Sequence, residues 1–188
     1  CIRDSTDTPA QTQALIATAL GSDQVAPELA IWAAEMRSQV ADAGISTAIH
    51  IDPGACYPLH PTVVAALPEL CMRYGQHERT LFSFLAGPEP FGVRAFIDRP
   101  IPTGAQLPSI RLDRLYDYFL GAASTLISVA PTAARWLEIE TRIRDTVGLT
   151  DAERRVVKTI GVLNLVAAGG ALRASRDLVA VCLLYTSD

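Results

Sequence analysis

Residues 61–85 carry the pattern that most constrains the fold of this chain: two apolar helical repeats separated by a glycine. Between Val63 and Tyr74 the apolar residues recur at intervals of three and four, which is the spacing of one face of an α-helix. Gly75 is expected to end this helix, and a second helix is expected over residues 76–86. Pro68 lies inside the first repeat and is expected to kink or divide it, because proline lacks a backbone N–H.

The rest of the chain also favours helices, so the predicted fold class is all-α. Thr150 and Glu153 form a capping-box pattern, which marks the start of a helix, and Ser175 is expected to cap the last one. The segment from Ile45 to Ile51 is the exception, since its β-branched residues predict a strand or an extended connector. Further helices are predicted over residues 9–20, 27–43, 112–129, 131–148 and 150–168.

Apolar stripes within these helices predict which side chains are buried. In residues 27–43 the stripe includes Ile31, Trp32 and Met36, and in residues 131–148 it includes Trp136 and Val147. Residues 87–109 contain five prolines and three glycines, and they are expected to form an irregular connector.

Composition limits the classes of protein to which the chain can belong. Of its 188 residues 49% are hydrophobic and 19% are charged, which is typical of a globular chain. The net charge of −4 disfavours a generally basic nucleic-acid surface. No stretch reaches the roughly 18 uninterrupted apolar residues of a membrane span, and the four cysteines and three histidines lack metal-ligand spacing.

The predicted helix over residues 76–86 offers a candidate anion-binding group. Gln76, Arg79, Thr80 and Ser83 share one face by their spacing, while the opposite face, which carries His77, is otherwise apolar: Leu81, Phe84 and Leu85. An arginine in such a position suits phosphate or carboxylate, because its planar guanidinium donates charge-assisted hydrogen bonds and keeps its proton. The alternative is a surface arginine paired with Glu78 or Glu69.

Several strings in the chain resemble a known group of proteins. YPLHP at residues 57–61 and GQHERTLFSFL at residues 75–85 look like the lid region of large bacterial P-loop ATPases of the AAA+/STAND kind. The similarity is greatest to the ATPases of phage-defence islands such as BREX systems. LYDYF at residues 115–119 and the stretch 149–175 also resemble segments of those proteins, so the likeness covers about residues 10–180.

The resemblance implies a helical lid-type bundle followed by a helical connector and a partial winged-helix domain. By it, residues 8–51 are the end of an ATPase core, residues 52–108 the lid-like region with its proline-rich connector, and residues 109–180 the connector and the partial winged helix. Residues 1–5 and 182–188 resemble translated sequencing-adapter tails, so the chain is expected to be a fragment of a longer protein.

The resemblance also implies roles for single residues and partners. Arg79 matches a sensor-type arginine that reads the γ-phosphate of ATP, with Gln76 and Thr80 beside it, and His60 shapes the first turn of the lid. Lys158 is the only lysine and follows Val157, so this chain holds no Walker A loop. The nucleotide and its Mg²⁺ would therefore be held mainly by parts of the parent ATPase outside this chain. The remaining expected partners are other subunits of the defence system, in the cytoplasm.

Two other classes of function remain open from the residues alone. The first is a DNA-binding or regulatory helical module, which is favoured by five basic residues between positions 154 and 176: Arg154, Arg155, Lys158, Arg173 and Arg176. The second is a helical scaffold without a ligand. A hydrolase is disfavoured because no nucleophile motif accompanies the histidines.

Overall fold

The structure is a computed structural model that describes residues 8–21, 26–74, 78–100, 107–127, 133–167 and 172–183. These residues form nine α-helices and no strand, which confirms the predicted all-α class. The helices are α1 (Pro9–Leu20), α2 (Pro27–Asp42), α3 (Pro61–Tyr74), α4 (Glu78–Ala86), α5 (Val93–Ile97), α6 (Leu112–Ile127), α7 (Ala133–Asp145), α8 (Asp151–Val166) and α9 (Arg176–Leu183). None of the described helices is long and apolar enough to cross a bilayer.

Side-chain caps start two of the helices, α8 and α9, where the sequence predicted them. The Thr150 hydroxyl accepts from the Glu153 N–H, and the Glu153 carboxylate accepts from the Thr150 N–H, so α8 begins with a complete capping box. The Ser175 hydroxyl accepts from the backbone N–H of Leu178 at the start of α9. Each cap satisfies a backbone donor that the first turn of a helix leaves without an intrahelical partner.

Helix α3 lies at the centre of the fold. Its residues from Pro61 to Pro68 are all buried, and α1, α4, α6 and α8 pack against it. Pro68 does not divide the helix, and the predicted division into two helices is therefore wrong. Proline removes one backbone hydrogen bond, and the apolar contacts on every side of α3 are sufficient to keep the helix continuous across it.

One hydrophobic cluster joins all three predicted segments of the chain. It contains Ile16 of α1, Leu67 of α3 and Leu163 of α8, each of them fully buried. The segments 8–51, 52–108 and 109–180 therefore pack together through a shared core.

The segment from Ile45 to Ile51 was predicted as a strand or connector, and it contains a 3-10 turn, Ser46–Ala48. The buried side chain of Gln13 holds it in place. The Gln13 Nε2 donates to the Ala48 carbonyl at 2.8 Å, and its Oε1 accepts from the His50 N–H at 2.8 Å. Of the two alternatives, the strand is therefore wrong, because the amide of Gln13 pairs with backbone groups that a neighbouring strand would use. Among the described residues, the one β-type pairing is a parallel bridge between Leu59 and Ile110.

Two of the predicted core positions are exposed instead. Ile31 on α2 is 71% exposed and Val147 is 95% exposed. Helix α2 buries only one side, where Trp32 meets Tyr57 edge-to-face at a ring-centroid distance of 5.2 Å. Helix α7 ends at Asp145, so Val147 lies in the turn at Gly148, which has a φ of 85°.

Two glycines inside helices provide a test of how closely α7 and α8 approach. A Cβ on Gly161 of α8 would lie 2.8 Å from Cγ2 of Ile139, whereas a Cβ on Gly121 of α6 would meet no described atom within 4 Å beyond its own helix. We expect Gly121→Ala to raise the free energy of unfolding by about 0.5–1 kcal/mol, because alanine favours the helix. We expect Gly161→Ala to lower it by about 1 kcal/mol, because overpacking outweighs that gain. Urea unfolding of both variants measures the two values, and stabilisation by Gly161→Ala would contradict the close approach.

Candidate functional site

Helix α4 carries the candidate arginine on an amphipathic scaffold. Leu81, Phe84 and Leu85 are buried against the core, as predicted for the apolar face, whereas Arg79 is exposed and Phe82 is half-exposed. Gln76 and His77 of the same motif lie outside the described residues. The structure therefore presents the Arg79 guanidinium to solvent from a helix whose other side is fixed in the core.

Arg79 forms no ion pair with a described side chain. Glu69, one of the two acids that the sequence offered as its partner, is paired with Arg73 at 3.0 Å instead. The alternative of an Arg79–Glu69 pair is therefore wrong, because these residues lie on different helices while Glu69 and Arg73 are four residues apart on α3. The side chain of Glu78, the other acid, is outside the described part of the chain.

The two polar neighbours of Arg79 on α4 are less accessible than the arginine. Thr80 is half-buried, and its carbonyl lies 3.5 Å from the hydroxyl of Tyr118, which donates to it. Ser83 is also half-buried, and its carbonyl accepts from the Gly87 N–H at the end of the helix. Among these three residues, Arg79 is therefore the most exposed.

His60 lies immediately before α3 and contacts the first turn of that helix. Its ring is fully buried, and the Nδ1 atom accepts from the Thr62 N–H at 3.3 Å while lying 2.8 Å from the Thr62 hydroxyl. Its backbone N–H donates to the Ile110 carbonyl at 2.9 Å. Burial, and secondarily the charge of Arg111, lowers the pKa of His60 to about 3, so the imidazole is neutral in the folded protein.

Arg111 is a buried polar residue that no pattern in the sequence predicted. Its guanidinium donates to the carbonyl of Cys182 at 2.8 Å and to that of Val181 at 3.4 Å. These carbonyls lie in the last turn of α9, where the helix dipole attracts a cation. Cys182 and Leu183, which were assigned to a tail, continue α9, and residues 184–188 lie outside the described part of the chain. Nothing local distinguishes Arg111 from a surface arginine in the sequence.

The described cysteines are buried thiols. Burial raises the pKa of Cys56 and Cys71 to about 12, and that of Cys182 to about 11, so all three are protonated near neutral pH. Within the described residues, no group of three His, Cys, Asp or Glu side chains could hold a metal ion.

Two of the three basic residues of α8 form ion pairs inside the fold. Arg155 pairs with Asp113 of α6 at 2.9 Å, and Lys158 pairs with Asp117 at 2.6 Å. Both pairs join α6 and α8, and they neutralise two of the five basic residues that favoured a DNA-binding surface. Of the other three, Arg154 is half-buried, whereas Arg173 and Arg176 are exposed.

Comparison of the chain with protein-family models, with curated proteins and with solved structures found no match.

The buried His60 predicts a loss of stability in acid. Its pKa is about 3 in the folded state and about 6.5 in the unfolded state, so below pH 6.5 the unfolded chain binds a proton that the folded chain excludes. We therefore expect the free energy of unfolding to fall by about 2 kcal/mol between pH 7 and pH 5 from this residue alone.

Urea unfolding of the wild type and of His60→Asn at both pH values measures this term. Asparagine keeps an acceptor for the Thr62 N–H but does not titrate, so the variant is expected to lose this part of the pH dependence. An equal pH dependence in the two proteins would contradict a neutral His60.

Proposed function

We propose that this chain is the lid and helical connector of a large P-loop ATPase of the AAA+/STAND kind, from a phage-defence system, and that Arg79 contacts the γ-phosphate of ATP. The observation that carries the proposal is the position of Arg79. It is exposed on a helix packed into the core, and it pairs with no carboxylate among the described side chains.

The chemistry of arginine supports this assignment. A guanidinium stays protonated and donates several hydrogen bonds in one plane, so it matches the equatorial oxygens of a transferring phosphoryl group. In phosphoryl-transfer enzymes, positive groups of this kind stabilise the charge that develops in the transition state. An exposed arginine that is paired with an acid would have to break that ion pair before it could bind a phosphate. Arg79 has no such pair with a described carboxylate.

A firm support for α4 is the second requirement of a sensor, because an arginine that reads a phosphate must be held at a defined place. The ring of Phe84 is fully buried and packs edge-to-face on Tyr118, with 4.8 Å between the ring centroids. Leu81, two positions after Arg79, is also buried, and α4 rests on α3. The residues that follow Arg79 on α4 are therefore fixed, while its own side chain is accessible.

The two motifs that resemble the ATPases act on the same central helix. The YPLHP string at residues 57–61 sets the start of α3 through His60, and α4 packs against α3 beyond it. A nucleotide contact at Arg79 would therefore act on α4 and α3 together, which suits a lid that closes over a bound ligand. In this proposal ATP and Mg²⁺ are held by the core of the parent ATPase, Gln76 and Thr80 flank the γ-phosphate contact, and this chain alone does not hydrolyse ATP.

The DNA-binding alternative has weaker support. It depended on the positive charge of residues 154–176, and the ion pairs of Arg155 and Lys158 with α6 take two of these charges out of reach of a phosphate backbone. A phosphate contact by either residue would first have to break an existing pair.

The proposal is tested in the full-length protein that contains this chain. We expect Arg79→Ala to lower the rate of ATP hydrolysis by about 100-fold or more, because one charged donor to the transition state is lost. Arg79→Lys is expected to recover only part of the rate, since an ammonium lacks the planar fork. The matched control is Arg94→Ala, which removes another exposed arginine on the neighbouring helix α5, and it should keep the wild-type rate.

Steady-state ATPase assays on the four proteins, with circular dichroism to verify folding, give the result. Unchanged turnover in Arg79→Ala would refute the sensor role and leave a helical scaffold as the better account. An equal loss in Arg94→Ala would show that the effect is not specific to Arg79.

A further inference from the structure

We propose that α6 clamps the α4–α5 unit, residues 78–97, through Arg114 and Tyr118, and that Arg114 thereby acts as the positioning residue for Arg79. The clamp itself stands on contacts within this chain. Its consequence for Arg79 rests on the proposed function.

Arg114 binds the loop between α4 and α5 through two kinds of contact, hydrogen bonds and cation–π contacts. Its Nε donates to the Phe91 carbonyl at 3.0 Å, and a terminal nitrogen lies 3.4 Å from the Gly92 carbonyl. The guanidinium also lies near two aromatic rings, 5.7 Å from the centroid of Phe91 and 5.4 Å from that of Phe96. Cation–π attraction and hydrogen bonds to carbonyls thus act together on one side chain, and lysine, which lacks the planar fork, matches this combination less well.

The loop between α4 and α5 has a strained backbone conformation that must be stabilised by contacts with other parts of the fold. Phe91 has a φ of 68°, which is rare for a bulky residue. A Cβ on Gly92 would lie 3.1 Å from the Phe84 carbonyl and 3.2 Å from the Glu89 carbonyl, so the loop packs tightly against the last turns of α4. Because such backbone persists only where its surroundings hold it, the Arg114 contacts are well placed to maintain it.

Tyr118 lies four residues after Arg114, on the same face of α6. Its hydroxyl donates to the carbonyl of Thr80, the residue that follows Arg79, and its ring packs on Phe84. The two side chains therefore hold the α4–α5 unit at two separate points, one beside Arg79 and one at the loop. A helix held at both points cannot tilt without breaking one of the contacts.

A second pair of residues on α6 holds α8. Asp113 and Asp117, also four apart, pair with Arg155 and Lys158. Helix α6 thus carries Arg114 and Tyr118 for the α4–α5 unit and the two aspartates for α8. A movement of Arg79 on nucleotide binding would therefore move α6 and, through it, α8. The Arg114 contacts join α6 to the loop between α4 and α5.

Hydrogen exchange on this chain tests the clamp without any nucleotide. We expect Arg114→Ala and Arg114→Lys to speed amide exchange in residues 78–97 by about tenfold, which corresponds to the loss of a charge-assisted contact, while exchange in α1 and α8 is unchanged. Arg155→Ala, which removes an arginine on the α8 side of α6, is the matched control and should leave residues 78–97 as in the wild type. Phe96→Leu removes one ring and should give a smaller increase in the same residues.

Two results would overturn the clamp. The first is unchanged exchange in residues 78–97 in both Arg114 variants. The second is an equal increase along the whole chain, which would mark Arg114 as a general stabilising residue. If Arg114→Ala does not fold, the Phe96→Leu variant decides by the same criteria.

The positioning of Arg79 is tested separately, by ATPase rates of the full-length protein. We expect Arg114→Ala to lower kcat, and we expect the Arg79→Ala/Arg114→Ala double variant to be no slower than Arg79→Ala alone, because both changes act through the same group. Additive losses would refute the positioning role while leaving the clamp intact. A wild-type rate in Arg79→Ala would refute the proposed function instead, and the hydrogen-exchange result would stand.

Discussion

Helix α3 has no solvent-facing stripe over its first eight residues, all of which are buried. A helix that is apolar on every side is stable in water only when neighbours cover it completely. Helices α1, α4, α6 and α8 provide that cover, and each is thereby fixed relative to α3. The apolar face of α4 packs on α3. This packing fixes α4 and thereby places Arg79, which lies on the opposite, polar side of the helix.

Polar contacts then set the details that apolar packing leaves open. Apolar burial is non-directional, so it favours contact between α4, α6 and α8 without fixing their rotation or register. The ion pairs of Asp113 and Asp117 with α8, and the hydrogen bonds of Arg114 and Tyr118 to α4 and its loop, supply the directional part. In the proposed lid, these contacts would determine how a nucleotide signal at Arg79 reaches the connector.

Local sequence rules predicted eight of the nine described helices; α5, Val93–Ile97, lies in the segment that was expected to be an irregular connector. The capping box at Thr150 and the cap at Ser175 are present as expected, because a cap needs only residues three positions apart. The failures are tertiary in origin. Ile31 fits a helical stripe, but α2 has a neighbour on one side only. Of the two alternatives for the segment near Ile49, a strand or an extended connector, the strand does not form, and two of its backbone groups pair with Gln13, which is 35 to 37 residues away.

The sequence by itself determined that the chain is helical and that α4 is amphipathic with Arg79 on its polar side, since both follow from periodicity. Only the tertiary structure decided that Arg111 binds the end of α9 and that Arg114 binds the loop after α4. The Arg111 and Arg114 contacts join groups 71 and 23 residues apart. Contacts between residues so far apart in sequence leave no periodic pattern along the chain, because they depend on how the elements pack and not on the residues between them.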